Sequence, residues 1–222
     1  MSGPLILAIE SATSCVGCAV GTPDGVLGAT YSTRGRRHAE SLAPQIEFVL
    51  GQAGVTLADL DAIAVDVGPG LYTGLRVGIT TGRALAHTLG IHMISVTSLA
   101  AIADAASVTA PTVVAIDARR GEVFHATFSA DNGTSGSDPA VAKPDAIVIA
   151  AGTRFVGDGA LVYREVIEAC GGLVDEVSTP YPLPDAVLRL ALRSVDDAVA
   201  PHLIEPLYLR RPDAVAKWEG DK

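Results

Sequence analysis

Apolar residues fall into two rhythms along this chain. Short, nearly unbroken apolar runs bounded by Gly, Pro and Asp predict strands over 5–10, 15–21, 26–33, 62–67, 91–96 and 123–129. Weaker strand signals stand near 146–150 and 154–156, and the tail 206–211 is strand-like before it turns polar. Helical spacing takes over in between. Leu42, Ile46, Val49, Leu50 and Ala53 share one face of a helix over 42–53, with Pro44 tolerable only in its first turn. An alanine-rich helix is predicted over 98–106, one helix from Gly157 through Cys170, and another over 185–193. Thr56-Leu57-Ala58-Asp59 has the spacing of a short capped turn.

The chain is organised around the stretch that follows Gly68-Pro69-Gly70, a sharp turn signal. Over 71–89, Gly74, Gly78, Gly82 and Ala86 recur four apart and form one small-residue stripe of a helix, with Thr73, Arg76, Thr80, Arg83 and His87 as a second, polar stripe. Three helical glycines cost about 2.5–3 kcal/mol relative to alanine, so close packing must offset that cost. A Walker phosphate loop is excluded, because its closing Lys-Ser or Lys-Thr is absent.

Composition narrows the setting. The 222 residues are 49% hydrophobic and carry a net charge of −9, enough apolar material for a large core and too acidic for the chain to hold nucleic acid alone. No apolar run approaches membrane-spanning length, and 5–9 makes no signal segment. Three cysteines, an odd number, are expected to stay reduced in a cytosol. Cys15-Val16-Gly17-Cys18 lies on a strand, where residues three apart point to opposite faces, so both cysteines are expected to be buried.

A weak internal repeat sets the architecture. Ala8-Ile9-Glu10 is echoed by Ala115-Ile116-Asp117, and Val16 by Val123, at one constant spacing. Each copy is an apolar strand ending in a carboxylate, a polar turn and a second strand. This predicts an α/β chain of two lobes, over 1–105 and 106–222, in a duplicated actin-like, sugar-kinase-like fold whose hairpins face each other across a cleft.

Five segments carry a resemblance to a known family: Ile9-Glu10-Ser11-Ala12-Thr13-Ser14, Arg37-His38-Ala39-Glu40-Ser41-Leu42-Ala43-Pro44, Gly68-Pro69-Gly70-Leu71-Tyr72-Thr73-Gly74-Leu75-Arg76, Asp117-Ala118-Arg119-Arg120-Gly121-Glu122-Val123 and Tyr208-Leu209-Arg210. Together they resemble the bacterial TsaB family, older name YeaZ, from the first strand to the tail. The resemblance implies a cytosolic, non-catalytic subunit needed to make threonylcarbamoyladenosine beside the anticodon of tRNAs that read codons beginning with A. It implies binding to TsaD, the catalytic paralogue, with the ATPase TsaE joining the pair. Homodimers are a further expectation, and tRNA is met only through the complex.

Candidate site residues follow from the residues and that resemblance together. Leu42, Ile46, Val49 and Leu50, with Gly74, Arg76, Gly78, Gly82 and Arg83, are expected at the partner interface, and Gly78 is expected to make the closest approach. Where TsaD carries a metal-binding histidine pair, this chain has Ser98 and Ile102, and its five histidines show no ligand spacing, so no metal is expected. Glu10 and Asp117 admit two readings: acids holding Mg²⁺ and nucleotide across a cleft, or hairpin-end acids bonded to turn N–H groups. Ser11, Thr13, Ser14, Gly157 and Gly159 complete that vestigial cleft, for which weak nucleotide binding and no tightly bound cofactor are expected. An ATP-dependent phosphotransferase of the sugar or acetate kinase type is the rival reading; a glycoprotease-like peptidase lacks a zinc motif.

Overall fold

The computed structural model describes residues 3–33, 38–129, 136–176 and 180–210. The basic run Arg34-Gly35-Arg36-Arg37 lies outside the described residues, as do 131–135 of the polar loop.

Strands β1 (Ile6–Glu10), β2 (Val16–Thr22) and β3 (Gly25–Ser32) form an antiparallel meander, and β4 (Ala62–Gly68) and β5 (His92–Thr97) add to β1 in parallel, giving the order β3-β2-β1-β4-β5. The later half repeats this. Strands β6 (Thr112–Arg119), β7 (Glu122–Phe128) and β8 (Ala140–Ala142) form the meander, and β9 (Arg154–Val156) and β10 (Leu173–Val174) extend β6 in parallel, giving β8-β7-β6-β9-β10. Identical order and polarity in both sheets bear out the duplicated α/β architecture that the repeat at Ala8 and Ala115 predicted.

Helices separate and cover the sheets. Helices α1 (His38–Ala53) and α2 (Tyr72–Leu89) lie side by side on one face of the first sheet, where Leu42, Ile46, Val49 and Leu50 of α1 and Leu75 and Ile79 of α2 join Leu7, Ile9, Val20 and Val65 in one core. On its other face lie α3 (Ser98–Ala105) and α6 (Pro184–Arg193), with Ala101, Val187, Leu188 and Leu190 against Ile6, Ala64 and Ile94. Helix α3 also turns Leu99, Ile102 and Ala103 onto Val114, Ile116 and Phe124 of the second sheet, so it is shared by both cores. The far face of that sheet is covered by α4 (Asp158–Val162) and α5 (Arg164–Ala169). Because α6 belongs to the first sheet's packing, the chain crosses back after β10. Asp104 of α3 holds Arg189 and Arg193 of α6 at 2.7 and 2.8 Å.

Several local expectations need correction. Pro44 sits inside α1, past its first turn, on the exposed side, where water can satisfy the carbonyl it leaves without a donor. Residues 147–150 form no strand: Ile147 and Ile149 rest against the second core, while Val148 is 98% exposed with no strand beside it among the described residues. The helix expected through Cys170 breaks at Tyr163, whose φ of −108° and ψ of 25° interrupt it between α4 and α5. The stretch 206–210 joins neither sheet and runs as an irregular strap instead.

Candidate functional site

The glycine stripe of α2 decides how the first wall of the interlobe cleft is built. A Cβ at Gly74 would strike the Ser11 carbonyl, one at Gly78 the Ser11 hydroxyl, and one at Gly82 the side chains of Val65 and Met93. The stripe therefore faces the chain's own first sheet, not a partner, and α2 sits deep on β1 and β4. Ser11 returns the contact by donating from Oγ to the Gly74 carbonyl at 2.9 Å. Leu42, Ile46, Val49 and Leu50 point inward too. Arg83 donates to the Ile204 carbonyl. Of the nine residues expected at a partner interface, Arg76 alone is exposed. The spacing was right and the facing was wrong, because a buried seat and a docking seam both require small residues four apart.

The outward face of the same helix pair has a different make-up. Glu40, Ala43, Glu47 and Phe48 are exposed on α1, and Thr73, Arg76, Thr80, Ala84 and His87 on α2. Phe48 is 55% exposed, a large ring among short and charged neighbours.

The cleft itself measures about 400 Å³ and lies between the two hairpins. Thr13 and Ser14 line it from the first hairpin, Gly70, Leu71 and Tyr72 from the start of α2, Asp117, Arg119 and Arg120 from the second hairpin, Asp158 from α4, and residues 207–210 from the strap. The Gly68-Pro69-Gly70 turn lies against the first hairpin, where Leu71 donates to the Ala12 carbonyl at 2.6 Å. His38 adds a bond from Nε2 to the Thr13 carbonyl at 2.7 Å.

Glu10 is not in this cleft. It is fully buried beside Asp66, with Oε1 accepting from the Ala12 N–H at 2.8 Å. Asp66 accepts on Oδ1 from the Gly68 N–H and from the Ser98 hydroxyl, both at 2.7 Å. Oε2 of Glu10 and Oδ2 of Asp66 have no hydrogen-bond partner among the described residues, and the two carboxyls lie close enough to act on each other's proton. Burial first and the Asp66 charge second hold Glu10 well above the usual carboxylate range. Burial also raises Asp66, which is opposed by its hydrogen bonds from Ser98 and Gly68. A proton held between them would satisfy both orphan oxygens.

Asp117 behaves as its counterpart does not. Its Oδ1 accepts from the Arg119 N–H at 2.8 Å and from the Tyr163 hydroxyl at 3.2 Å, and its Oδ2 pairs with the Arg119 guanidinium at 3.0 Å. Asp158 accepts from the Asp117 N–H at 3.1 Å, and its carboxyl is pushed up to about 6, mainly by burial and further by Asp117. Gly157 and Gly159 lie under this pair rather than in the cleft, since a Cβ at either would meet the backbone of β6 at Ala115 or Ile116. The pattern singled out Gly157 and Gly159, whereas Asp158 between them reaches the cleft. Tyr72 and Tyr208 also line it, a role no spacing marks.

These residues do not fit a phosphate cradle. In the first hairpin turn, the Ala12 N–H is spent on Glu10 and the Cys15 N–H on the Thr13 hydroxyl at 3.2 Å. With Glu10 enclosed, Glu10 and Asp117 cannot hold Mg²⁺ between them. Ser98, where a first metal-binding histidine would stand, is bonded to Asp66, and Ile102 is enclosed in the core around α3. Cys15 and Cys18 are both buried, and burial pushes each thiol up to about 12.

A family model described as TsaD, tRNA N6-adenosine threonylcarbamoyltransferase, matches residues 28–218. An uncharacterised protein of Mycobacterium leprae is 33% identical over 214 residues; the match covers 95% of this chain and 56% of that one, so the chain spans little more than half of that relative's length. The Escherichia coli tRNA threonylcarbamoyladenosine biosynthesis protein TsaB is 30% identical over 228 residues, covering 97% of this chain and 98% of that protein. A solved structure of a Pseudomonas aeruginosa protein, described as similar to the peptidase YeaZ, superposes with a TM-score of 0.83 at 28% identity, over 93% of this chain and 100% of the other.

Proposed function

Because the chain belongs to the TsaB (YeaZ) family, we propose that it is a non-catalytic subunit in the synthesis of threonylcarbamoyladenosine on tRNAs reading codons that begin with A. It acts by holding a TsaD-type catalytic paralogue through the outward faces of α1 and α2, with the TsaE-type ATPase joining the pair and tRNA met only in the assembly. The observation that carries this reading is the make-up of that face. Its α1 half is acidic at Glu40 and Glu47, its α2 half is basic at Arg76, and Phe48 supplies one apolar anchor. A helix pair of this kind is self-complementary: turned about a two-fold axis, α1 of one chain meets α2 of the other with opposite charges opposed. A paralogue with the same topology, or a second copy, satisfies that geometry.

Non-catalytic status is supported by Ser98 and Ile102, whose side chains are committed to Asp66 and to the core. The phosphotransferase reading loses its first acid with Glu10, and nucleotide binding in the cleft is correspondingly weak. A cytosolic setting follows from the proposed reaction, and no helix among the described residues is long and apolar enough to cross a membrane.

Co-purification of the full chain with the TsaD-type protein of the same organism tests the proposal. Phe48→Asp should abolish a stable heterodimer in light scattering while the thermal midpoint stays unchanged. Retention of the heterodimer by a folded Phe48→Asp chain would place the docking face elsewhere, and steady Mg-ATP turnover by the isolated chain would favour the kinase reading.

A further inference from the structure

We propose that residues 204–210 form a latch that holds the two lobes together at the mouth of the cleft and can be gripped from the docking face of α2. The strap is fixed first to the first lobe. Ile204 is buried in the core under α2, and its carbonyl receives the Arg83 guanidinium. Leu207 then donates to the Val67 carbonyl at 2.7 Å, at the end of β4. Tyr208 stacks on Tyr72 with ring centres 4.8 Å apart. Arg76 lies 4.1 Å over the Tyr72 ring and donates from Nε to the Tyr208 hydroxyl at 3.3 Å.

Two residues later the strap belongs to the second lobe. Leu209 packs on the core around Phe124 and Val114. Arg210 donates to the Ala118 carbonyl at 2.8 Å and pairs with Glu122, so it clasps both strands of the β6–β7 hairpin. Residues 207–210 meanwhile form one wall of the cleft. Opening the cleft therefore means breaking either the Tyr72–Tyr208–Arg76 cluster or the Arg210 clasp.

The first-lobe half of the latch is the weaker one. Tyr72 and Tyr208 are 36% and 38% exposed, and Arg76 is exposed too, so that cluster is maintained at the surface. Arg210 is more enclosed, with 25% of its side chain accessible. Release should thus begin at Tyr208, and Arg76 is the handle because it stands on the outward face of α2. A protein that covers α2 meets this handle directly; only this last step rests on the proposed function.

The test uses the full chain, alone and with its TsaD-type partner. Cys170 is exposed in the second lobe, whereas Cys15 and Cys18 are buried, so Cys170 and an introduced Gln52→Cys on α1 take spin labels selectively. The latched chain should give one narrow distance distribution. Tyr208→Ala and Arg210→Ala should each broaden it and speed exchange of the Leu207 amide at least tenfold, while Tyr208→Phe, which keeps the stack, should fall between. Should a variant fail to fold, wild-type exchange decides: Leu207 and Glu122 amides should open with one common free energy. Unchanged distributions in folded Tyr208→Ala and Arg210→Ala chains, or unrelated opening of those two amides, overturn the latch. Partner binding that leaves the distribution unaltered overturns the coupling to α2, whereas absence of partner binding refutes the proposed function and leaves the latch standing.

Discussion

Glu10→Gln should make the protein more stable at neutral and alkaline pH, and the gain should grow with pH. In the folded chain Glu10 holds its proton to higher pH than in the unfolded chain, where its ordinary value is 4.5. A raised folded pKa means that stability is fully present below the unfolded pKa and is lost as pH rises toward the folded one. Within that window stability falls by at most about 1.4 kcal/mol per pH unit. Burial is the leading cause, the Asp66 charge the next, and the Cys15 thiol, itself pushed up to about 12, stays neutral across the window. Glutamine preserves the geometry without the titration: its oxygen accepts from the Ala12 N–H as Oε1 does, and its amide donates to Oδ2 of Asp66 in place of the shared proton.

Urea unfolding followed by far-ultraviolet circular dichroism, at intervals from pH 4.5 to 8, measures the effect. Histidines and surface acids titrate alike in both chains, so the difference between the two curves isolates the buried pair. That difference should start near zero and climb by at most about 1.4 kcal/mol per unit, with the Glu10→Gln chain above. For a domain of this size each kcal/mol of the difference corresponds to roughly 2–4 °C in the thermal midpoint. Asp66→Asn should act from the other side: its amide can donate to Glu10 and let that carboxyl ionise, flattening the same profile. A difference that stays constant across the range, or falls, would refute a shared proton between Glu10 and Asp66.

Gly78→Leu should destabilise the isolated chain rather than a complex, because the new side chain is driven into Ser11 and Ile9; overpacking of this kind costs about 1–3 kcal/mol, and differential scanning calorimetry of the monomer reads it. Asp104→Ala should cost about 1–3 kcal/mol by chemical unfolding, since the carboxyl is 4% exposed while Arg189 and Arg193, at 37% and 42%, can rehydrate. The loss should be nearly the same in 1 M salt, as an enclosed carboxyl is screened little.

Much of the fold was legible because its signals are local. The meander and the parallel additions follow from apolar runs and turn residues, and the repeat at Ala8 and Ala115 announced the second sheet before any tertiary contact was known. The errors came where a residue's partner is remote in sequence. Nothing near residue 148 says that no strand will lie beside it, and nothing near Tyr208 says that Tyr72 waits to stack on it. The glycines of α2 show the limit most clearly. Their spacing establishes that another backbone comes close, but whether that backbone is β1 of the same chain or a partner's helix depends on which side of the helix the sheet occupies.

The two hairpin acids carry the same lesson into chemistry. Glu10 and Asp117 occupy matched places at the ends of matched strands, yet one is enclosed and the other borders the cleft. The neighbouring parallel strand explains the difference. Ile9 of β1 pairs with Val65 of β4, which sets Glu10 beside Asp66. In the second sheet the parallel pairing stops at Val114 and Val156 and α4 begins at Asp158, so Gly159 of that helix lies against the backbone of Asp117. Asp117 instead takes the turn N–H, the Tyr163 hydroxyl and the Arg119 guanidinium at the cleft edge, with the Asp158 carboxyl on its own backbone N–H. Glu10, enclosed beside Asp66, is held well above the usual carboxylate range by burial and by the Asp66 charge. The two matched acids thus end in different settings, one enclosed and one at the cleft edge, and the cleft is left with a single hairpin acid where a symmetric Mg²⁺ site needs two.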